Sequence, residues 1–160
     1  MKNDDAYREV YDLIRDLTKS LRFFQSESIF CEGVTFTQYS ILDFVSKNEN
    51  TGMTRLGDFL DVEKSTTTRL VKPLIDHRYL DQVKSKDDLR TTHLQITPSG
   101  DEIRQRVEKC MFGFIDVMTK KINPEEKIAT IQSVKKFSTL LSGCCRGGCQ
   151  TKKIIKRKNI

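Results

Sequence analysis

Three thiols stand within six residues near the end of the chain, in Gly143-Cys144-Cys145-Arg146-Gly147-Gly148-Cys149. Arg146 and the lysines beyond it favour thiolate over thiol, and the glycines let a loop fold back on itself. Three thiolates at Cys144, Cys145 and Cys149 suit a soft ion: zinc with a fourth ligand, copper(I), or arsenic(III) in a trigonal site. They also suit a reversible disulfide. The spacing matches no zinc-finger pattern, and a reactive but unused tail is the plainer alternative. Cys31 is a secondary thiol candidate, although its neighbours Ile29 and Phe30 favour burial. Cys110 falls on an apolar helical stripe and is expected in the core.

A second constellation is Ser65-Thr66-Thr67-Thr68-Arg69, followed by Lys72. Short hydroxyls at a helix start bond phosphates or base edges, and the helix's first N–H groups favour phosphate. Threonine is a mediocre helix former, so three in a row are not explained by propensity. Capping by one or two of them is the structural alternative. Arg69 and Lys72 suit phosphate or guanine. His77 and His93 are too few and too scattered for a metal site or a hydrolase triad. With no glycine-rich phosphate loop and no paired catalytic motif, an enzyme has little support.

The elements around this run are legible from pattern. Leu56, Phe59 and Leu60 share a face of a short helix from Thr54 to about Leu60, with Thr54 as its cap or as a DNA contact. Asp61-Val62-Glu63 is a turn, and a second helix from Lys64 carries Leu70, Val71, Leu74 and Ile75. Two helices joined by three residues read as helix-turn-helix. Pro73 sits inside the second helix, where it removes an N–H. The apolar residues on both sides of it favour a kinked, continuous helix over two short ones. Leu80–Val83 and His93–Ile96 alternate as half-buried strands around the charged loop Lys84-Ser85-Lys86-Asp87-Asp88-Leu89-Arg90. Such a fold reads DNA: the second helix enters the major groove and the wing follows the backbone or minor groove.

Four pieces in order carry a family resemblance: Thr35-Phe36-Thr37-Gln38-Tyr39-Ser40-Ile41-Leu42, Lys64-Ser65-Thr66-Thr67-Thr68-Arg69-Leu70-Val71, Ser85-Lys86-Asp87-Asp88-Leu89-Arg90, and Leu94-Gln95-Ile96-Thr97-Pro98-Ser99-Gly100. From about Asp5 to Leu141 the chain resembles MarR-family transcriptional regulators. The resemblance implies a homodimer on pseudo-palindromic DNA, released by a ligand or by oxidation. It implies that Asp88 braces the wing and Arg90 reaches the minor groove, with Lys84 and Lys86 on phosphates. Some relatives sense peroxides through a cysteine in the N-terminal region, which keeps Cys31 in view. Arg78 departs from the family, which usually has glycine there.

The remaining chain reads as support. Val10, Leu13, Ile14, Leu17, Leu21 and Phe24 form the stripe of an amphipathic helix over 5–24, suited to a subunit interface or a core face. A connector spans 25–33, and Thr35 with Gln38 forms a capping box. Thr97-Pro98 opens a helix lined by Ile103, Val107, Cys110, Met111, Phe114 and Met118. Asn123-Pro124 opens the last helix, ending near Ser142-Gly143. The expected fold is mainly α with a small β-wing. Residues 1–33 and 101–142 form a helical dimerisation lobe, 34–100 the winged helix-turn-helix lobe, and 143–160 a basic, cysteine-rich tail. The net charge of +6 resides in that tail: residues 146–160 hold six basic residues and no acid, leaving 22 of each sign elsewhere. Lys64 to Arg90 carries seven basic against four acidic residues, a modest basic face. No apolar run is long enough to span a membrane. A cytoplasmic DNA-binding repressor is expected, and a cytosolic setting argues against a structural disulfide framework. An aromatic ligand between the lobes is the alternative control. A thiol metal-binding or redox protein without DNA binding is the alternative function.

Overall fold

The computed structural model describes residues 2–25, 29–84 and 92–146. The chain separates into two compact units, Met1–Phe112 and Gly113–Ile160.

In the first unit, α1 (Lys2–Ser20) and the short α2 (Arg22–Gln25) replace the single expected helix. The connector that follows is not structureless. β1 (Ile29–Cys31) and β2 (Val34–Thr35) form an antiparallel ribbon around Glu32-Gly33. Both turn residues have positive φ, 54° and 77°, which suits the glycine better than the glutamate. Thr35 leaves this ribbon as the cap of α3 (Phe36–Lys47). Its Oγ1 accepts from the Gln38 N–H at 3.1 Å, and its own N–H donates to Gln38 Oε1 at 2.9 Å, the reciprocal pattern read from the sequence.

Beyond α3, β3 (Thr51–Gly52) pairs with β5, so the expected turn over 47–52 supplies a third strand. α4 (Met53–Leu60) starts at Gly52, so Thr54 lies inside the helix and does not cap it. α5 (Lys64–Asp76) runs unbroken through Pro73, as the apolar residues flanking the proline require. It closes through Arg78 at φ 57°, the left-handed conformation that glycine would hold at lower cost. Three hydrogen bonds secure that turn. Thr97 Oγ1 and Ser99 Oγ donate to the Arg78 carbonyl at 2.7 and 3.0 Å, and the Thr97 N–H donates to the Tyr79 carbonyl. β4 (Leu80–Lys84) and β5 (Thr92–Ile96) pair in the order β3-β5-β4, with Leu80 opposite Ile96.

α6 (Pro98–Thr119) begins with Thr97 Oγ1 accepting from the Gly100 N–H at 3.0 Å, as its Thr-Pro start implies. Gly100 abuts the Tyr79 backbone so closely that any side chain there would collide with it. The core joins Val34, Ile41, Leu42 and Val45 to Leu56, Val71, Leu74, Leu80 and Leu94, closed by Ile103 and Val107 of α6. Cys110 is a correction: it lies on the exposed side of α6, not in the core.

In the second unit, α7 (Pro124–Arg146) opens with Asn123 Oδ1 accepting from the Glu125 N–H. It continues past Ser142-Gly143, where the sequence suggested an end. A glycine inside a helix costs only about 1 kcal/mol relative to alanine.

Candidate nucleic-acid interface

α5 projects Ser65, Thr68, Arg69 and Lys72 as one exposed face, at positions i, i+3, i+4 and i+7. Three consecutive threonines cannot all share that face, because a helix turns by about 100° per residue. Thr67 is fully buried. Its hydroxyl donates to the Glu63 carbonyl at 3.1 Å, and a Cβ built on Gly57 of α4 would lie 2.9 Å from its Oγ1. This corrects its assignment as a DNA contact: Thr67 seats α5 on α4. Thr66 is half-buried, and the Thr68 hydroxyl donates back to the Lys64 carbonyl. Glu63 at the helix cap makes no side-chain cap bond, so the first N–H groups of α5 gain no acceptor from it. Thr54 is exposed at the start of α4.

Neighbouring elements hold this pair of helices in place. Phe44 of α3 stacks on Phe59 of α4 at 4.1 Å between ring centroids. Arg55 lies over the Phe44 ring and donates to Asn48 Oδ1 at 2.7 Å. Lys84, at the end of β4, is exposed where the wing begins. Lys86, Asp88 and Arg90 of the wing lie outside the described residues, as does Cys149. Cys144 and Cys145 occupy the last turn of α7. Among the described residues no group of three or more His, Cys, Asp or Glu is placed to hold a metal ion.

Three features were not visible in the sequence. The first is a cavity of about 550 Å³ beside α5. Leu21, Phe24 and Phe36 line it from one side, and Leu60, Val62 and Leu70 from the other. Thr66 and Arg69 reach it from α5. Leu21 and Phe24 belong to the apolar stripe read from the sequence, but their meeting with α5 depends on the break between α1 and α2.

The second is a charged tie between α3 and α6. Arg104 donates to Asp101 at 2.8 Å and sits 3.5 Å from Glu108 and 3.6 Å from Asp43. Burial alone would lower the pKa of this guanidinium, but the hydrogen bond to Asp101 and the three surrounding carboxylates leave it raised. The Asp101 carboxyl is correspondingly lowered, first by the hydrogen bond from Arg104 and then by that from Gln105.

The third is a disulfide between Cys31 and Cys110, 79 residues apart. It corrects the reading of Cys31 as a free secondary thiol and the expectation of no disulfide. Nothing in the spacing of the two cysteines announces it. The ribbon around Cys31 brings it to α6, and that ribbon rests on pairings of two and three residues.

A sequence model of the MarR family matches residues 32–91, the segment from the ribbon turn to the end of the wing. Over 136 residues the chain is 24% identical to the HTH-type transcriptional regulator BilQ of Clostridioides difficile, covering 83% of this chain and 92% of that protein. The fold is shared with the PcaV transcriptional regulator of Streptomyces coelicolor, solved in complex with its natural ligand. There the TM-score is 0.65 at 19% identity, over 79% of this chain and 89% of PcaV. It is shared equally with Bordetella bronchiseptica BpsR, whose DNA binding is regulated by 6-hydroxynicotinic acid. That match has a TM-score of 0.65 at 16% identity, over 81% of this chain and 98% of BpsR. These are DNA-binding regulators rather than enzymes. With residues 32–91 matched by the family model and the fold shared, the chain resembles the MarR family of winged-helix transcriptional regulators.

Proposed function

We propose that the chain works as a homodimeric repressor in the cytoplasm, binding a pseudo-palindromic operator with one α5 in each of two successive major grooves. The observation that carries this reading is the single polar face of α5, Ser65, Thr68, Arg69 and Lys72, held rigid by buried Thr67 behind it. Arg69 and Lys72 would take guanine or phosphate, and Lys84, Lys86 and Arg90 the wing contacts, with Asp88 bracing the loop. The dimer is supported by apolar stripes that one copy leaves uncovered. On α1, Tyr7, Val10 and Leu13 are exposed, and on α7, Ile128, Ile131, Val134 and Leu140. Stripes of this extent mark an association surface. In this reading residues 1–33 and 101–142 form the dimerisation lobe, 34–100 the DNA-reading lobe and 143–160 the tail. No described helix is long and apolar enough to cross a membrane.

Fluorescence anisotropy with the chain's own upstream region, across a salt series, tests the reading. Specific binding should weaken steeply with salt, and Arg90→Ala should weaken it strongly in a folded protein. Salt-insensitive or absent binding would exclude it in favour of a thiol protein without DNA binding.

Control by a small aromatic ligand is favoured by the cavity beside α5. It is mostly apolar, and Thr66, Arg69 and Leu70 give it a direct hold on the recognition helix. Control at Cys144, Cys145 and Cys149 by zinc, copper(I), arsenic(III) or peroxide is the competing proposal. If one of these agents releases DNA from the native chain but not from the Cys144/Cys145/Cys149→Ser variant, the tail is the sensor. If the serine variant responds normally, the cavity is where to search for the effector.

A further inference from the structure

We propose that Thr97 is a positioning residue for operator recognition: by holding the strained turn at Arg78, it fixes the angle between α5 and the wing. The proposal rests on the reading of the chain as an operator-binding regulator, and Thr97 acts through the turn rather than through the DNA.

Buried contacts stop guiding α5 before it ends. Thr67, Val71 and Leu74 anchor it to the core, but Asp76, His77 and Arg78 are exposed. Two backbone bonds then close the helix. The Arg78 N–H donates to the Ile75 carbonyl and the Tyr79 N–H to the Leu74 carbonyl, each at 2.8 Å. This closure needs a left-handed residue at position 78, a conformation suited to glycine and held here by arginine. A residue with a Cβ does not prefer that conformation, so the closed turn needs support from outside itself.

Thr97 supplies it from 19 residues along the chain. Its hydroxyl lies 2.7 Å from the Arg78 carbonyl, 3.3 Å from the Tyr79 carbonyl and 3.0 Å from Ser99 Oγ. A hydroxyl has one proton, and the nearest acceptor, the Arg78 carbonyl, takes it. Ser99 Oγ donates to the same carbonyl at 3.0 Å, and the Thr97 N–H donates to the Tyr79 carbonyl at 3.1 Å. The Thr97 oxygen still accepts from the Gly100 N–H, so one side chain closes α5 and opens α6. The start of α6 is a firm support. Ile103 and Val107 bury it in the core, and Gly100 brings its backbone against Tyr79.

The turn lies between the two parts proposed to read DNA. Lys72 of the polar face stands near the end of α5, and Leu80, just past the turn, starts β4, which leads to the wing. Leu80 pairs with Ile96, the residue before Thr97. Relaxation at Arg78 therefore changes the angle at which β4 leaves α5. An operator is read by α5 and the wing together, whereas non-specific binding needs only phosphate contacts. A changed angle weakens the first more than the second.

The test is a double-mutant cycle on the full chain, with operator and non-specific affinities measured by anisotropy at one salt concentration. Thr97→Val removes the hydroxyl at nearly constant shape. It should lower the ratio of operator to non-specific affinity by about tenfold, within the range for residues sharing a hydrogen-bond network. Arg78→Gly makes the turn favourable without help, so in that background Thr97→Val should lower the ratio by about twofold or less. Thr97→Ser should keep the native ratio. Equal losses in the two backgrounds would show that Thr97 serves only as the cap of α6, and that result, or no loss in either, overturns the proposal. Circular dichroism checks that each variant is folded. If Thr97→Val is not, Ser99→Ala, which removes the second donor to the same carbonyl, enters the same cycle with the same outcomes. If the native chain binds no operator, the regulator reading fails by itself. Hydrogen exchange of the Arg78 and Tyr79 amides then decides: faster exchange in Thr97→Val, but not in Thr97→Val with Arg78→Gly, supports the holding role, and unchanged exchange overturns it.

Discussion

Arg78 carries a backbone conformation its side chain does not favour. At φ 57° a residue with a Cβ pays about 1–2 kcal/mol that glycine avoids. Arg78→Gly should raise the unfolding free energy by about 1 kcal/mol, somewhat less than the strain because glycine also loosens the unfolded chain. Urea denaturation measures this, and an unchanged or lower midpoint would mean that the Thr97 and Ser99 bonds already absorb the strain. On α5 the threonines divide by burial. Thr67→Ala loses a buried hydrogen bond and its packing on Gly57, and should cost about 1–2 kcal/mol of stability. Lys72→Ala should leave stability within about 0.5 kcal/mol of the native value and reduce the salt slope of operator binding by about one. The opposite pattern would reverse the assignment of the two faces.

Among the elements, α3 is the hub. Its start is set by the Thr35–Gln38 box, its inner face is core, and its outer face meets α6 through Arg104. The charged tie gives that contact a pH dependence. The Asp101 carboxyl is lowered in the folded chain by the Arg104 and Gln105 hydrogen bonds. Its contribution is therefore fully present above the unfolded carboxyl value, 3.8, and is lost as pH falls through the lower folded value. Melting temperatures of native and Asp101→Asn protein should differ at neutral pH and converge in acid below about pH 4. A gap that stays constant through that range would show that Asp101 acts by packing rather than by charge. α5 offers a further lesson. Pro73 removes one N–H, but the Val71 and Leu74 contacts on either side are buried in the core, and their packing outweighs the missing bond.

For the whole molecule, the proposed dimer turns on the exposed apolar stripe of α7. Ile131 and Val134 of α7 are more than half exposed, at 59% and 58%. If they lie in a dimer interface, Ile131→Glu should convert the chain to a monomer, measured by light scattering after size exclusion. It should also weaken operator binding by well over tenfold, because a single winged helix reads only one half-site. A dimer that survives the charge would place the interface elsewhere, with the stripe of α1 as the next surface to test.

Much of this protein follows from local chemistry. Periodicity, the Thr35–Gln38 box, the Thr97-Pro98 and Asn123-Pro124 starts and the alternating strands each depend on residues within a turn or a strand of one another. Those elements, and the winged-helix class they spell, were therefore legible in the residues alone. So was the polar face of α5, although not which of its threonines turns inward, because that is decided by Gly57 on another helix. The three-residue ribbon, the third strand at Thr51-Gly52, the cavity beside α5 and the Cys31–Cys110 bond were decided only by tertiary structure. Each joins short segments far apart in the chain, whose own propensities are too weak to declare them. The bond across 79 residues is the extreme case: neither cysteine has a neighbour that names its partner, and only the packing of the ribbon against α6 brings the two sulfurs together.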